Sequence, residues 1–193
     1  MRKLTQTLAL LVLTLSLLLG GCAAPVQDAG SVSPSVPASS GTQTSASLDA
    51  LPAYSGEPYV ALNGNEPDFS ADEITDTSFE TYSPLDSLGR CGVAEASIST
   101  DLMPAQGEKR GSISEVKPSG WVTSKYDFVD GKYLYNRCHL IGWQLTAENA
   151  NRSNLITGTR YLNVDGMLPF ENMVADYVKE TGNHVMYRVT PIF

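Results

Sequence analysis

The chain has 193 residues, a net charge of −8, 42% hydrophobic and 18% charged residues. That length holds one domain of ordinary size plus a leader or tail, and that composition excludes a chain disordered throughout. The acidic total excludes a surface that is basic all over, as phosphate binding usually needs, but the charge is uneven. Residues 51–108 hold eleven acids against the single base Arg90, a net of −10. Residues 109–137 hold Lys109, Arg110, Lys117, Lys125, Lys132 and Arg137 against Glu115, Asp127 and Asp130, a net of +3. Residues 138–193 sum to −1 and residues 1–50 to zero. The basic stretch reads either as a phosphate-facing surface or as a solvated charged face, and charge by itself does not choose between them.

Residues 1–22 open with Arg2 and Lys3, run apolar from Leu8 to Leu19 and end on small residues, the secretory pattern. The apolar run is shorter than the roughly 20 residues a membrane span needs. Its closing Leu19-Gly20-Gly21-Cys22 resembles the bacterial lipoprotein signal, which implies cleavage before Cys22, lipidation of its thiol and an extracytoplasmic, membrane-anchored protein. Residues 23–50 are rich in Ala, Ser, Thr and Pro and lack aromatic residues, so they cannot bury enough apolar surface to fold and read as a disordered tether. The globular part is therefore expected over residues 51–193.

Ile74–Thr81 is read as extended or mixed, and Gly92–Ser99 as a strand whose Val93, Ile98 and small residues suit a buried ladder. Met103–Gly111 is read as a loop. Lys117-Pro118-Ser119-Gly120 is a turn signal, and Trp121-Val122 after it is taken to open another strand. Tyr133–Leu140 is the next extended segment, followed by polar Thr146–Asn154 and the short apolar piece Leu155-Ile156-Thr157. After Gly158 comes a loop or short helix. Pro169–Glu180 is the clearest helix, with Phe170, Met173, Val174, Tyr177 and Val178 at helical spacing, Pro at its start and Gly182-Asn183 at its stop. His184–Ile192 alternates as a strand, and the whole order makes an α+β domain.

Asn136-Arg137-Cys138-His139 stands at the end of a strand, with Asn154, Asn163 and Glu171 downstream. Phosphodiester hydrolysis needs a base for water, a cation for the developing charge and groups that hold phosphate. His139 suits the base, an Asn oxygen with a carboxylate suits Mg²⁺, and Arg137 and Arg110 suit a phosphate clamp. A His beside a Cys equally suits packing, and Asn-rich segments equally suit turns, so the residues by themselves leave both readings open. Cys91 and Cys138 are permitted to pair outside the cytoplasm, but spacing supplies no distance. A zinc site from Cys91, Cys138 and His139 is weak, because the chain has no Cys-x-x-Cys.

Tyr135–Leu140, together with Ile156–Asn163, Leu88-Gly89-Arg90 and Lys109–Trp121, resembles the DNA/RNA non-specific endonucleases of the ββα-metal superfamily, over roughly residues 85–193. The resemblance implies a ββα-metal core with a mostly antiparallel sheet and flanking helices. It implies an endonuclease that hydrolyses DNA and RNA without sequence preference, with Mg²⁺ as cofactor and Mn²⁺ able to substitute; the sequence implies no protein partner. Carried over by position, His139 is the general base, Asn163 the protein ligand of the metal and Glu171 the holder of its waters. Asn154 orients the site, Arg110 and Arg137 contact substrate or the transition state, and His184 is structural.

Two departures accompany the resemblance. The family's Asp-Arg-Gly-His reads Asn-Arg-Cys-His here: Asn136 keeps a hydrogen bond but not a charge, and Cys138 needs more room than Gly. The chain also closes on Pro191-Ile192-Phe193, directly after a strand-like run where family domains continue, so the sequence suggests a C-terminally incomplete domain. The alternative function is a nuclease-like lipoprotein that binds nucleic acid or serves structurally without turnover.

Overall fold

The computed structural model describes residues 51–193; the leader, Cys22 and the tether lie outside the described residues. The described residues form five strands and two α-helices, in the order β1 (Phe79–Tyr82), β2 (Ala94–Ile98), β3 (Tyr135–His139), α1 (Trp143–Thr146), β4 (Leu155–Thr159), α2 (Leu168–Thr181) and β5 (Val185–Val189). They form two antiparallel sheets, β1-β2-β5 and β3-β4. The β3–β4 pair and the α2 that follows it make the ββα unit of an α+β domain, as expected.

The first sheet is built around β2, whose sequence is Ala-Glu-Ala-Ser-Ile. Ala94, Ala96 and Ile98 alternate onto one fully buried face, where the small alanines leave room for a helix. Ala175 and Val178 of α2, with Leu140, Ile141 and Leu145 from the segment after β3, complete this core. Each fully buried large aliphatic side chain contributes about 1.5–3 kcal/mol. On the other face, the Ser97 hydroxyl donates to the Thr75 carbonyl (2.9 Å) and lies 3.1 Å from His184 Nδ1, which leaves His184 in a sheet-side hydrogen bond. Across the sheet, Arg188 Nε meets Glu95 Oε2 at 2.7 Å, and the Arg188 guanidinium also pairs with Glu73 and lies over the Phe69 ring. One cation thus gathers part of the acidic segment onto the sheet.

Helix α2 runs one residue beyond the expected span at each end, with Gly182 in the left-handed conformation (φ 70°) donating to the Val178 carbonyl at 2.9 Å. β2 and β5 fall inside the segments read as strands, and Leu155–Thr159 is a full strand. Ile74–Thr81, read as extended or mixed, is mixed: only its end is strand, because a turn at Ser70–Glu73 precedes it and pairing with β2 starts at Phe79. One expectation changes. Trp121-Val122 does not open a strand. The preceding turn exists, with the Trp121 amide donating to Pro118 O at 3.0 Å, but the Trp121 ring is engaged by the Arg137 guanidinium at 3.8 Å and Val122 is exposed. The only strand-like contact nearby among the described residues is the isolated bridge Lys125–Tyr133.

Cys138 is fully buried and unpaired; Cys91 is also buried and unpaired, with its single S–H within reach of the carbonyls of Arg152 and Leu155. Burial pushes the Cys138 thiol up to about 12, so it stays protonated. The room it needs comes from the neighbouring strand: a Cβ on Gly158 would sit 2.6 Å from Cys138 Sγ. The extra volume at position 138 is matched by missing volume at 158. Gly158→Ala is therefore expected to cost about 1–3 kcal/mol of stability, as overpacking does. The same change in a Cys138→Ala background should cost much less, because the sulfur is gone. Thermal unfolding of the two single variants and the double variant tests this; additive losses would contradict the packing argument.

Candidate active site

β3 presents Tyr135, Arg137 and His139 on one face, by the two-residue alternation of a strand. His139 ends the strand, is 6% exposed and is held at both ring nitrogens. Its Nε2 lies 2.7 Å from the Asn149 carbonyl oxygen, and its Nδ1 lies 3.2 Å from Arg110 Nη2. A carbonyl only accepts and a guanidinium only donates. The proton is therefore on Nε2, and the lone pair is on Nδ1. Burial lowers the His139 pKa below its usual value, the Asn149 carbonyl opposes that, and the Arg110 charge adds to the lowering. The result is a neutral imidazole with a defined tautomer.

The chain directly after His139 is clamped. The Leu140 amide donates to the Asn154 carbonyl (2.9 Å), Asn154 Oδ1 accepts from the Ile141 amide (2.9 Å) and Asn154 Nδ2 donates to the Ile141 carbonyl (2.9 Å). Asn154 is fully buried, so losing this pairing would leave two backbone groups unsatisfied, each costing about 1–3 kcal/mol. The clamp places Gly142, the N-cap of α1, against the first turn of α2. Glu171, Ala175 and Val178 follow at i, i+4 and i+7, so the core-facing stripe of α2 ends in a carboxylate. A Cβ on Gly142 would lie 2.5–2.9 Å from that carboxyl group. Glycine is required there for close approach.

Asn163 sits in a π-helical turn, Leu162–Met167, in which the Leu168 amide donates to the Asn163 carbonyl five residues back. Such wide turns carry an extra residue within a helix and are frequent at functional sites. Arg110, Arg137, His139, Gly142, Asn163 and Glu171 line one cavity of about 300 Å³. Glu171 is half-buried in it and makes no ion pair within 4 Å among the described residues. Burial raises its pKa, with Gln144 and Arg110 pulling it back. The Arg137 Nε and Nη2 donate to the carbonyls of Val116 (2.5 Å) and Ser114 (2.8 Å), which anchors the guanidinium between strand and loop.

The structure thus brings together His139, Arg137, Arg110, Asn163 and Glu171. Asn154 does not line the cavity; it acts on the backbone behind it. Cys22 lies outside the described residues. Gly142 and Asn149 shape the site and were not singled out in the sequence: Asn149 works through a backbone carbonyl, which any residue type possesses, and Gly142 through absent volume. Asn136 lines the neighbouring groove. Zinc binding by Cys91, Cys138 and His139 is set aside. No group of three His, Cys, Asp or Glu is placed to hold a metal among the described residues, and Cys138 and His139 are successive residues pointing to opposite faces of β3. The donors facing the cavity are instead hard oxygens, the Glu171 carboxylate and the Asn163 amide. With room for water between them, they suit a hydrated divalent cation.

Residues 71–193 match the family model described as DNA/RNA non-specific endonuclease. No curated protein matches the chain. Among solved structures, the chain is similar to NucA from Streptococcus agalactiae with magnesium ion bound, at 22% identity and a TM-score of 0.59, over 69% of this chain and 66% of that one. The same protein with no metal bound matches at 21% identity and a TM-score of 0.59, over 76% and 70%. Sda1 nuclease with bound zinc ion matches at 28% identity and a TM-score of 0.50, over 60% and 63%. The likeness to NucA is one of fold, and the chain spans about two thirds of the length of these nucleases.

Proposed function

The chain belongs to the DNA/RNA non-specific endonuclease family, and from that premise we propose that it is a Mg²⁺-dependent endonuclease that hydrolyses DNA and RNA without sequence preference, with His139 as general base. The observation that carries this reading is the lone pair of His139 Nδ1, defined by the Asn149 carbonyl on Nε2, in a cavity shared with two arginines and two hard-oxygen donors. Water delivered to Nδ1 loses a proton to it as the water oxygen bonds to phosphorus and the ester P–O bond breaks. The departing ester oxygen takes its proton from solvent. Asn149 keeps the ring oriented and accepts the hydrogen bond that strengthens as the imidazolium forms. Arg110 and Arg137 take up phosphate charge. Because Arg110 donates to Nδ1 in the free protein and is exposed, its guanidinium transfers to the arriving phosphate and uncovers the base. Asn163 and Glu171 would hold the divalent cation largely through water, and the cation would supply charge neutralisation at the phosphoryl group. The magnesium of NucA and the zinc of Sda1 support a divalent metal for this fold; the hard-oxygen donors of this chain favour Mg²⁺, with Mn²⁺ as a substitute.

The protein is expected to cleave plasmid DNA and total RNA with Mg²⁺. Cleavage should stop with EDTA and fall at least a hundredfold in His139→Ala, the usual scale for a general base. A folded protein that cleaves neither substrate would sink the nuclease reading and favour a binding role. The pH dependence follows from the lowered His139 pKa. Below that pKa Nδ1 carries a proton and cannot accept one, so activity rises as pH rises through it. Its acid limb should lie below the ordinary histidine value of about 6.5, measured as kcat/KM against pH; a limb above that value would argue against a buried neutral base.

We further propose that the enzyme works outside the cytoplasm, tethered through lipidated Cys22 and the Ser/Thr/Pro/Ala-rich segment 23–50. The support is the charged start, apolar run and Leu-Gly-Gly-Cys ending of the leader. Cells fed a labelled fatty acid should incorporate it into the chain, and Cys22→Ser should abolish the label and release the protein from membranes. Equal labelling of both forms would rule out this anchor.

A further inference from the structure

A second and more open groove of about 580 Å³ adjoins the catalytic cavity, and the hydrolysis described above makes no use of most of its wall. The two spaces share Arg110, Arg137 and Asn163, so a strand with its phosphate in one extends into the other. The rest of the groove is notable for three aromatic residues, Trp121, Tyr133 and Tyr135, and for Arg160. A phosphate needs cations and hydrogen-bond donors, not rings. Tyr133 is the exposed ring of the three, and an aromatic ring left facing water beside a phosphate clamp calls for an apolar, flat partner.

The walls are also held in place before any ligand arrives. The Arg137 guanidinium carbon stands over the Trp121 ring, 3.8 Å from its centre, and that guanidinium is itself held by the carbonyls of Val116 and Ser114. Lys125 Nζ stands 4.5 Å from the centre of the Tyr133 ring, while Tyr133 remains 47% exposed. Arg160 is fastened by Asp130 at 2.5 and 3.0 Å and lies against Gly131, where a Cβ would come within 3.6 Å of its guanidinium carbon. Rigid walls lose little freedom on binding. In a duplex the faces of the bases are already stacked on one another, so only an unpaired base can offer a face to a ring. Stacking is also tolerant of sequence, because every base has a π-face.

We propose that this groove is a subsite for an unpaired base next to the scissile phosphate, with Tyr133 as a stacking platform, and that it makes the protein favour single-stranded DNA and RNA over duplex. The inference rests on the nuclease reading for the position of the phosphate, and its test is separable from turnover. Binding of a fluorescent single-stranded 12-mer and of its duplex is measured in EDTA with the full chain, Tyr133→Ala, Tyr133→Leu and Tyr133→Phe. Losing one stacked base weakens binding by about tenfold. Tyr133→Ala and Tyr133→Leu should each weaken the single strand by that factor and the duplex by less than twofold, whereas Tyr133→Phe, which keeps the ring, should bind like the parent. Tyr133→Leu retains apolar volume, so a folding defect confined to Tyr133→Ala would leave the test standing. Equal weakening of both ligands, no weakening, or no binding of the single strand by the parent would overturn the subsite. Cleavage of the same oligonucleotides with Mg²⁺ is read in parallel. A parent that binds the single strand in this manner and cuts nothing keeps the subsite and loses the nuclease reading. A parent that cuts both forms with no dependence on Tyr133 keeps the nuclease reading and loses the subsite.

Discussion

The arrangement of the site depends on one side chain that never reaches it. Asn154 is fully buried, and its amide spans both backbone groups of Ile141 while its own carbonyl takes the Leu140 amide. These three bonds end β3 immediately after His139, turn the chain toward α1 and bring Gly142 beneath Glu171. A buried amide that satisfies both of its polar ends has one low-energy pose, because any rotation strands a donor or an acceptor away from water. The placement of His139 at the end of β3 and the closeness of the Glu171 carboxylate to Gly142 therefore have a common origin.

Close approach elsewhere is obtained by withholding volume. Gly142 admits the Glu171 carboxyl, Gly158 admits the Cys138 sulfur, and at Gly111 a Cβ would stand 2.7 Å from Asn149 Nδ2. The last of these lies beside the residue whose carbonyl orients His139. The Cys138 replacement within Asn-Arg-Cys-His is thus absorbed across the strand pair. It points away from the face that carries Arg137 and His139, so the bulk added at 138 is directed into packing.

The sequence was most legible where one physical signal dominated. α2 announces itself through helical spacing with Pro169 and Gly182 at its ends, and the strand character of Tyr135–His139 and Val185–Val189 shows in alternation and β-formers. His139, Arg137, Asn163 and Glu171 stand out as residue types suited to phosphate chemistry, and the fold gathers them with Arg110 in one cavity. Trp121-Val122 misled because β-propensity reports a side chain that packs well, and Trp121 packs on a guanidinium rather than in a ladder. Within the basic stretch 109–137, Arg110 and Arg137 line the cavity, whereas Lys132 pairs with exposed Asp127. Gly142 and Asn149 were not legible at all, since a missing side chain and a backbone carbonyl acquire meaning only from what the tertiary fold sets against them.

The π-helical turn has a consequence for angular phase. Glu171 follows Asn163 by eight positions, which on an unbroken α-helix, at about 100° per residue, leaves the two side chains about 80° apart around the axis. A π turn accommodates one extra residue without advancing the helix by that residue's rotation. The effective advance is then about seven residues, or roughly 700°, and the two groups come within about 20° of one line. The eight-residue interval looks out of step when read as a regular helix. It is in step only because the backbone between Leu162 and Met167 is underwound.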